Sequence, residues 1–442
     1  MNRRHFLSAS AASGLLLAAD RSPLRAEVDT PLKVGLIGCG WYGMVNLRNL
    51  LLVTRGNRKV EIVGFADPDK AALDKAAGEL EATWKQTRPA GFADYREMLK
   101  LKPDVVIVGS PDHWHALHAI SAMQAGADVY CEKPICHTID EGKAMLATAR
   151  RLNRVVQVGT QRRSTPHVNR AKEFVRSGRL GTIGQVTTCC YYNMLATANP
   201  PDAPAPATLD WDLWVGPAPM TPFNPVYVPK TWRGFGQFAN GIVGDMFVHM
   251  LDTARYLVGF DWPKTVTSTG GRYVHRKAKA NVPDTQSIAL DYGDFSVLWD
   301  HRTYGPADDP RYPWAVCLYG EKGVLRLDVA KWEFEPHGGG KPAKDTADLN
   351  KELADRDQDA QTVPAGMNHM KNFLDCVGSR KKPVADIGEG YISTASCLLG
   401  NVALATGRTL KFDAVTQTVN GDAEANALFR REYRKPWVYP EA

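Results

Sequence analysis

The chain lacks the features that would place it in several large functional classes. It has no long apolar run: even its most apolar N-terminal stretch falls well short of the ~20 residues that a membrane span needs. It has no basic run of the kind that binds nucleic acid. Lysine and arginine number 54 against 48 aspartates and glutamates, and a net charge of +6 over 442 residues is mild. No unit repeats. Cysteine is sparse: Cys39, Cys131, Cys136, Cys189, Cys190, Cys317, Cys376 and Cys397 include no Cys-x-x-Cys pair. Neither a zinc site nor a disulfide framework is indicated, and free thiols buried in apolar segments are expected. What remains is ordinary for a soluble globular protein, with 44% apolar and 23% charged residues. The length exceeds one ordinary domain and predicts two.

The first residues read as a targeting segment rather than as part of the fold. In "NRRHFLSASAASGLLLAAD", Arg3 and Arg4 precede Phe6, Leu7 and a short apolar run that ends in small residues. The Arg-Arg-x-Phe-Leu order resembles a twin-arginine export signal, so residues 1–30 are expected to be signal and linker, and the protein periplasmic or extracellular. That route carries proteins that fold before export, typically around a cofactor. The eight unpaired cysteines agree with folding in a reducing compartment.

Residues 31–160 alternate strand and helix patterns. "LKVGLI", "KVEIVGFA", "DVVIVGS", "DVYC" and "RVVQVG" are apolar runs separated by helical stretches such as "ALHAISAMQAG". Alternation of this kind means a parallel sheet covered on both faces. A capping box, Thr138 with Glu141, opens one of the helices. After Gln161 the pattern changes. "SIALDYGDFSVLWDHR" and "WAVCLYGEKGVLRLD" read as antiparallel strand pairs, and a proline-rich segment from Ala196 to Pro229 reads as a long ordered loop. Residues 161–442 therefore form a second, α+β domain with an antiparallel sheet.

Between the first strand and the first helix lies "GCGWYG", with Gly38, Gly40 and Gly43 around Trp41 and Tyr42. Gly-x-Gly-x-x-Gly is weak by itself, but here it stands between strand and helix at the start of a βαβ unit, the context a dinucleotide site requires. The first glycine permits the turn, the second admits the pyrophosphate, and the third lets helix and strand pack closely. Asp67 closes the second strand, where a carboxylate can accept both ribose hydroxyls of NAD and repel the extra phosphate of NADP. It lies farther from Gly38 than the usual ~20 residues, and the insertion "TRGNRKVE" accounts for the difference. Lys70 leaves room for NADP.

"GLIGCGWYG", "SPDHWH" and "EKPICHT", in this order, resemble the glucose–fructose oxidoreductase/inositol dehydrogenase (Gfo/Idh/MocA) family. The resemblance extends through "VGTQRRS", "WDLWVGPAP", "GDMFVHMLD", "GEKGVLRLD" and "NFLDCVGSRKKP" and covers nearly the whole mature chain. It implies an α/β N-terminal Rossmann domain and an α+β C-terminal domain with a large open, mostly antiparallel sheet through which subunits pair as homo-oligomers. It implies that Lys133 is catalytic and meets both substrate hydroxyl and nicotinamide ribose, that Glu132 positions it, and that Ser110, Pro111 and His115 border the cofactor. Asp245 and His249 match an Asp-x-x-x-His pair, one helical turn apart and able to face one cleft. Removing hydride from an alcohol carbon requires the hydroxyl proton to leave too. A histidine can take it, and a lysine beside the incipient alkoxide lowers its energy.

Arg162, Arg163, Trp232 and Arg233 are further candidates for contacting substrate. His113 and His115 alone are too thin a set for a metal site, and none is expected. The expectation is an exported NAD-dependent oxidoreductase of a carbohydrate or cyclic polyol, with no nucleic-acid partner and no membrane anchor after signal cleavage. Because free NAD is scarce outside the cytoplasm, the cofactor is expected to travel tightly bound. Two alternatives stay open. One is redox-neutral glycoside cleavage, in which transient oxidation assists elimination and the hydride then returns. The other is a non-catalytic NAD-bound sugar-binding protein, against which the co-occurrence of Lys133, Asp245 and His249 argues.

Overall fold

The computed structural model describes residues 30–191, 197–354 and 359–441. The twin-arginine stretch lies outside the described residues. Six strands, β1 (Leu32–Ile37), β2 (Val60–Ala66), β3 (Ala90–Phe92), β4 (Val105–Val108), β5 (Asp128–Cys131) and β6 (Val156–Val158), form a parallel sheet in the order β3-β2-β1-β4-β5-β6. The reason is visible in β4 and β5: every residue is buried, as strands covered on both faces must be. Strand order reverses between β1 and β4, so the segments leaving these two strands diverge and open a crevice at the carboxyl edge, the usual ligand position of such sheets. The glycine turn after β1, Asp67 after β2, Ser110 after β4 and Glu132–Lys133 after β5 all emerge along this edge.

Ten more strands make the second sheet: β7 (Ile183–Cys190), β8 (Thr265–Gly271), β9 (Thr285–Asp291), β10 (Ser296–Arg302), β11 (Trp314–Gly320), β12 (Gly323–Leu327), β13 (Lys331–Pro336), β14 (Ala343–Thr346), β15 (Leu410–Asp413) and β16 (Thr418–Val419). Their order is β14-β13-β12-β11-β7-β10-β9-β8-β15-β16, and the pairing is antiparallel except for β7 with β10. Burial alternates along β9 and β10: Ile288, Leu290, Val297 and Trp299 point into the core beneath the helices Val248–Val258 and Ile387–Thr406, while Ser287, Ala289, Leu298 and Asp300 lie on a half-exposed face. All eight cysteines are free. No helix among the described residues is long and apolar enough to cross a membrane.

Two features position the site. The helix Val248–Val258 is preceded by a wide π turn, Val243–Phe247, so Asp245 sits on expanded backbone instead of the regular helix its sequence pattern suggests. Arg163 donates through two nitrogens to Asp252 on that helix, at 2.8 Å each, with both side chains buried. Asp252 thereby fixes the helix that carries His249 against the end of β6.

Candidate active site

The three glycines of the turn meet three different surroundings. Gly38 has φ +90°, which L side chains rarely adopt, and a Cβ there would lie 2.6 Å from the backbone of Gly109 at the end of β4. A Cβ on Gly43 would lie 1.9 Å from the carbonyl oxygen of Gly38. A Cβ on Gly40 would meet nothing within 4 Å. Two glycines therefore let the backbone close up, and the middle one leaves space at the N-terminus of helix Trp41–Thr54. Asp67 Oδ2 accepts from the backbone N–H of Cys39 at 2.8 Å and Oδ1 from that of Asp69 at 2.9 Å. These bonds orient the carboxylate and leave a lone pair on each oxygen. Burial pushes its pKa up to about 6, although those two amide bonds pull the other way.

Lys133 and Asp245 join the two domains. Lys133 Nζ donates to Asp245 Oδ1 at 2.9 Å and to the Asp245 carbonyl oxygen at 2.7 Å. Arg233 Nε donates to the same Oδ1 at 3.2 Å, and its guanidinium lies 4.2 Å from the Trp232 ring centre. Burial opposes ionisation of Asp245, but Lys133 and Arg233 outweigh it and hold the carboxyl below its ordinary range. Glu132 is buried behind Lys133 and accepts from Asn46 Nδ2 at 2.8 Å and from the Lys133 backbone N–H at 3.3 Å. Gly159 makes room for it, because a Cβ there would lie 2.6 Å from its carboxylate. The Lys133–Pro134 peptide is cis, and the Pro134 carbonyl lies 2.6 Å from His115 Nδ1. His115 Nε2 lies 2.8 Å from the Ser110 carbonyl. Burial pushes this imidazole down to about 4, so the ring is neutral at pH 7 and donates to one of the two carbonyls at a time.

Lys133, Asp245, Arg233, Glu132, His115 and Ser110 line a cleft of about 360 Å³ between the domains. Trp41, Tyr42, Ser110 and His115 line it together with Asp245 from the π turn, His249 from the helix, and Arg162, Trp314 and Asp328. Four buried polar atoms on its walls, Asp245 Oδ2, His249 Nδ1, Gln161 Oε1 and His167 Nδ1, have no hydrogen-bond partner among the described residues. Buried polar atoms without partners are costly, and where they line a cleft they are ready for a polyhydroxylated ligand. Burial, then Lys133 and Arg162, push His249 well below 6.5, so it is neutral and able to accept a proton.

The structure brings Lys133, Asp245, His249, Trp41, Tyr42, Ser110, His115 and Glu132 into this one cleft, with Arg162 and Arg233. Gly38, Asp67 and Pro111 line a second, smaller slot that shares Ser110 with it. Two substrate candidates lie elsewhere. Arg163 is committed to Asp252 and Glu389, and Trp232 is buried in a separate aromatic cluster behind Arg233. Two further residues belong to the site without a motif to mark them: Asn46, which holds Glu132, and Asp112, a buried cleft carboxyl that burial pushes up to about 7 against the pull of Arg233 and Lys133. Asn46 lies one helical turn after Gly43, a spacing that could have signalled it.

An NAD dinucleotide fits these residues. The open side of Gly40, the remaining lone pairs of Asp67 and the cleft between Ser110 and Lys133 follow one edge of the parallel sheet. Among the described residues no group of three or more His, Cys, Asp or Glu side chains is placed to hold a metal.

Comparison with known proteins agrees with this geometry. A family model described as an oxidoreductase family with an NAD-binding Rossmann fold matches residues 32–160. Its companion, a C-terminal alpha/beta domain of the same oxidoreductase family, matches residues 165–296 and 335–439. The chain is 35% identical over 383 residues to inositol 2-dehydrogenase 3 of Saccharopolyspora erythraea, covering 86% of this chain and 95% of that protein. It is 26% identical to D-glucoside 3-dehydrogenase of Escherichia coli over 83% of this chain and 93% of that one. An inositol dehydrogenase homolog from Azotobacter vinelandii, solved with NADH and myo-inositol, shares the fold with a TM-score of 0.66 at 18% identity, over 87% of this chain and 99% of that one.

Proposed function

The chain belongs to the Gfo/Idh/MocA oxidoreductase family, and from that premise we propose that it removes hydride from a hydroxyl-bearing ring carbon of a carbohydrate or cyclic polyol. The chain is an NAD-dependent hydride-transfer enzyme; the cleft supports the substrate class. The observation that carries the reading is the buried Lys133–Asp245 pair beside His249, with Asp245 Oδ2 and His249 Nδ1 lacking partners on the cleft wall.

Bound nicotinamide supplies the hydride acceptor. The chain handles the proton and the charge. Neutral His249 takes the proton of the reacting hydroxyl. Lys133, held by Asp245 and braced through Glu132, stabilises the oxygen as it gains charge. Asp245 Oδ2 accepts from a neighbouring hydroxyl, and Arg162 and Gln161 offer further polar contacts from the wall. The test is nicotinamide reduction across a panel of cyclic polyols, free sugars and glycosides. The reading expects saturable reduction by at least one member and its loss in Lys133→Met; saturable turnover that survives Lys133→Met would remove it.

A second reading is supported by the aromatic lining of the cleft. Trp314, with the Arg162 guanidinium 5.0 Å from its ring centre, adds an aromatic wall to the cleft that His249 lines. Such a wall suits the ring or aglycone of a glycoside. Oxidation beside the anomeric neighbour acidifies the adjacent C–H; loss of that proton expels the substituent; water adds to the resulting double bond; and the hydride returns. The net reaction is hydrolysis. It predicts glycoside turnover with no external acceptor and no net nicotinamide absorbance change, and a requirement for stoichiometric NAD would exclude it.

Export and assembly belong to the same proposal. The Arg3–Arg4 stretch supports twin-arginine export to the periplasm or beyond; cell fractionation of an Arg3→Lys/Arg4→Lys double variant tests it, with retention in the cytoplasm expected. The half-exposed face of the second sheet, with Thr187, Ser287, Ala289 and Cys317, supports pairing with a second copy. Light scattering on the purified chain tests this, and a monomer at micromolar concentration would refute it.

A further inference from the structure

The slot that Gly38, Asp67, Ser110 and Pro111 line at the carboxyl edge of the first sheet is not closed by the first domain alone. Its outer wall is made by Trp214, from the proline-rich excursion after β7, and by Trp437, five residues before Ala442. In a sheet of this kind the ribose carboxylate after β2 marks the purine end of a dinucleotide, just as Lys133 marks the nicotinamide end. We propose that the excursion and the C-terminal tail form a clamp over the purine that slows release of the dinucleotide. The inference rests on the dinucleotide reading of the site and adds which residues retain it.

Three observations support a clamp. The excursion is anchored where the ribose carboxylate lies: Asp210 N–H donates to the Pro68 carbonyl at 2.9 Å, Lys70 N–H to the Thr208 carbonyl at 2.8 Å, and Trp114 Nε1 to the Trp214 carbonyl at 3.0 Å. The tail is fastened at both sides. Arg431 and Tyr433 reach the fully buried Glu141 at 2.9 and 2.7 Å, and Arg434 Nη1 donates to Asp212 Oδ1 of the excursion at 2.7 Å. The third observation concerns Trp437 itself. Its ring packs edge-on against Trp114 with centres 4.7 Å apart, it is 9% exposed, and its indole N–H is buried without an acceptor among the described residues. A purine carries acceptor nitrogens along its ring edge, so one lying edge-on to Trp437, near the plane of its indole, satisfies the orphaned donor.

The test is a chase on the purified full chain. Protein loaded with NADH is mixed with excess NAD, and the loss of energy transfer from tryptophan to NADH is followed in time. The clamp expects at least tenfold faster release in both Trp437→Ala and Arg434→Ala than in the parent chain. Trp437→Phe, which keeps an aromatic wall but removes the N–H, should fall between. Val438→Ala, at a 76% exposed position of the same tail, should release like the parent. Thermal unfolding of each variant without nucleotide distinguishes a loosened clamp from a damaged fold: the clamp requires faster release at an unchanged midpoint in at least one of the Trp437 and Arg434 variants. Binding of NADH with release equally fast in parent and variants would overturn the clamp and leave the dinucleotide reading standing. Absence of NADH binding by the parent chain would overturn both.

Discussion

Lys133 Nζ lies 2.9 Å from Asp245 Oδ1 and 2.7 Å from the Asp245 main-chain carbonyl, one residue from each domain. The strand β5 delivers the lysine and the wide turn before helix Val248–Val258 delivers the aspartate, so the two groups meet only when the domains are correctly docked. Breaking a buried pair by removing one partner costs about 3–5 kcal/mol, because the survivor stays buried and uncompensated. Asp245→Ala, which leaves both Lys133 and Arg233 without their shared carboxylate, should lower the unfolding free energy by that order and activity by at least ~10²-fold. Asp245→Asn keeps the shape and should recover much of the stability but not the activity. Chemical denaturation and steady-state rates on the two variants check this.

The glycine turn separates two effects that one motif usually hides. Gly43→Ala would push a methyl group to 1.9 Å from the Gly38 carbonyl and should destabilise the fold by a few kcal/mol, about the cost of overpacking a core. Gly40→Ala meets nothing within 4 Å in the protein, so the melting temperature of the nucleotide-free chain should not move. Its methyl group occupies the approach to the helix N-terminus, and NADH affinity measured by fluorescence titration should fall at least tenfold.

The two ends of the cofactor groove should titrate differently. Asp67 is raised to about 6 by burial, so it is ionised at neutral pH and protonates as the pH falls through 6. A protonated carboxyl accepts ribose hydroxyls less well, and the KM for NAD should rise below about pH 6. Because the folded state holds this proton more tightly than the unfolded chain does, ionisation of Asp67 makes the nucleotide-free fold less stable between about pH 4 and 6 as the pH rises. Asp67→Asn should flatten the KM profile.

His249 should show the opposite pattern. Burial and the charges of Lys133 and Arg162 disfavour its protonated form, so at saturating NAD and substrate the acid limb of kcat should lie well below pH 6.5. Lys133→Met removes one of the opposing charges and should shift the residual limb upward. Asp112, raised to about 7, titrates in the same cleft, and profiles recorded in an Asp112→Asn background isolate the histidine.

Arg162 and Arg163 are neighbours in sequence and opposites in role. Arg163→Ala strips the buried Asp252 of its bidentate partner and should cost about 3–5 kcal/mol of stability. Arg162→Ala should raise the substrate KM while leaving NADH binding and the melting temperature near those of the parent. Calorimetry and saturation kinetics on the pair decide between the two roles.

Much of this site could be read along the chain because the parallel sheet is built from local units. An apolar run, a glycine turn and a helix announce themselves in order, and whatever follows a strand lands on the carboxyl edge. Glu132–Lys133 and Asp67 were legible for that reason. Asp245 and His249 were legible as a helical pair, although the π turn beneath Asp245 was not, since nothing in "GDMFVH" marks an added residue in a turn. Arg163 could not be told from Arg162, because which of two adjacent guanidiniums meets Asp252 is decided by packing between elements far apart in sequence. The aromatic wall from Trp214 and Trp437 was hidden for the same reason: the two residues are over two hundred positions apart and line one slot only in the folded chain.

The central claim is that Lys133, paired with Asp245, supports hydride transfer from a sugar or polyol carbon to nicotinamide. The most direct measurement is a single-turnover mixing experiment in which the NAD-loaded chain meets substrate and the nicotinamide absorbance band is followed. The account expects a fast absorbance rise in the parent chain, whether that rise persists or decays as hydride returns. It expects a rise at least ~10²-fold slower in Lys133→Met that still binds the nucleotide. A rise of equal rate in that variant would contradict it.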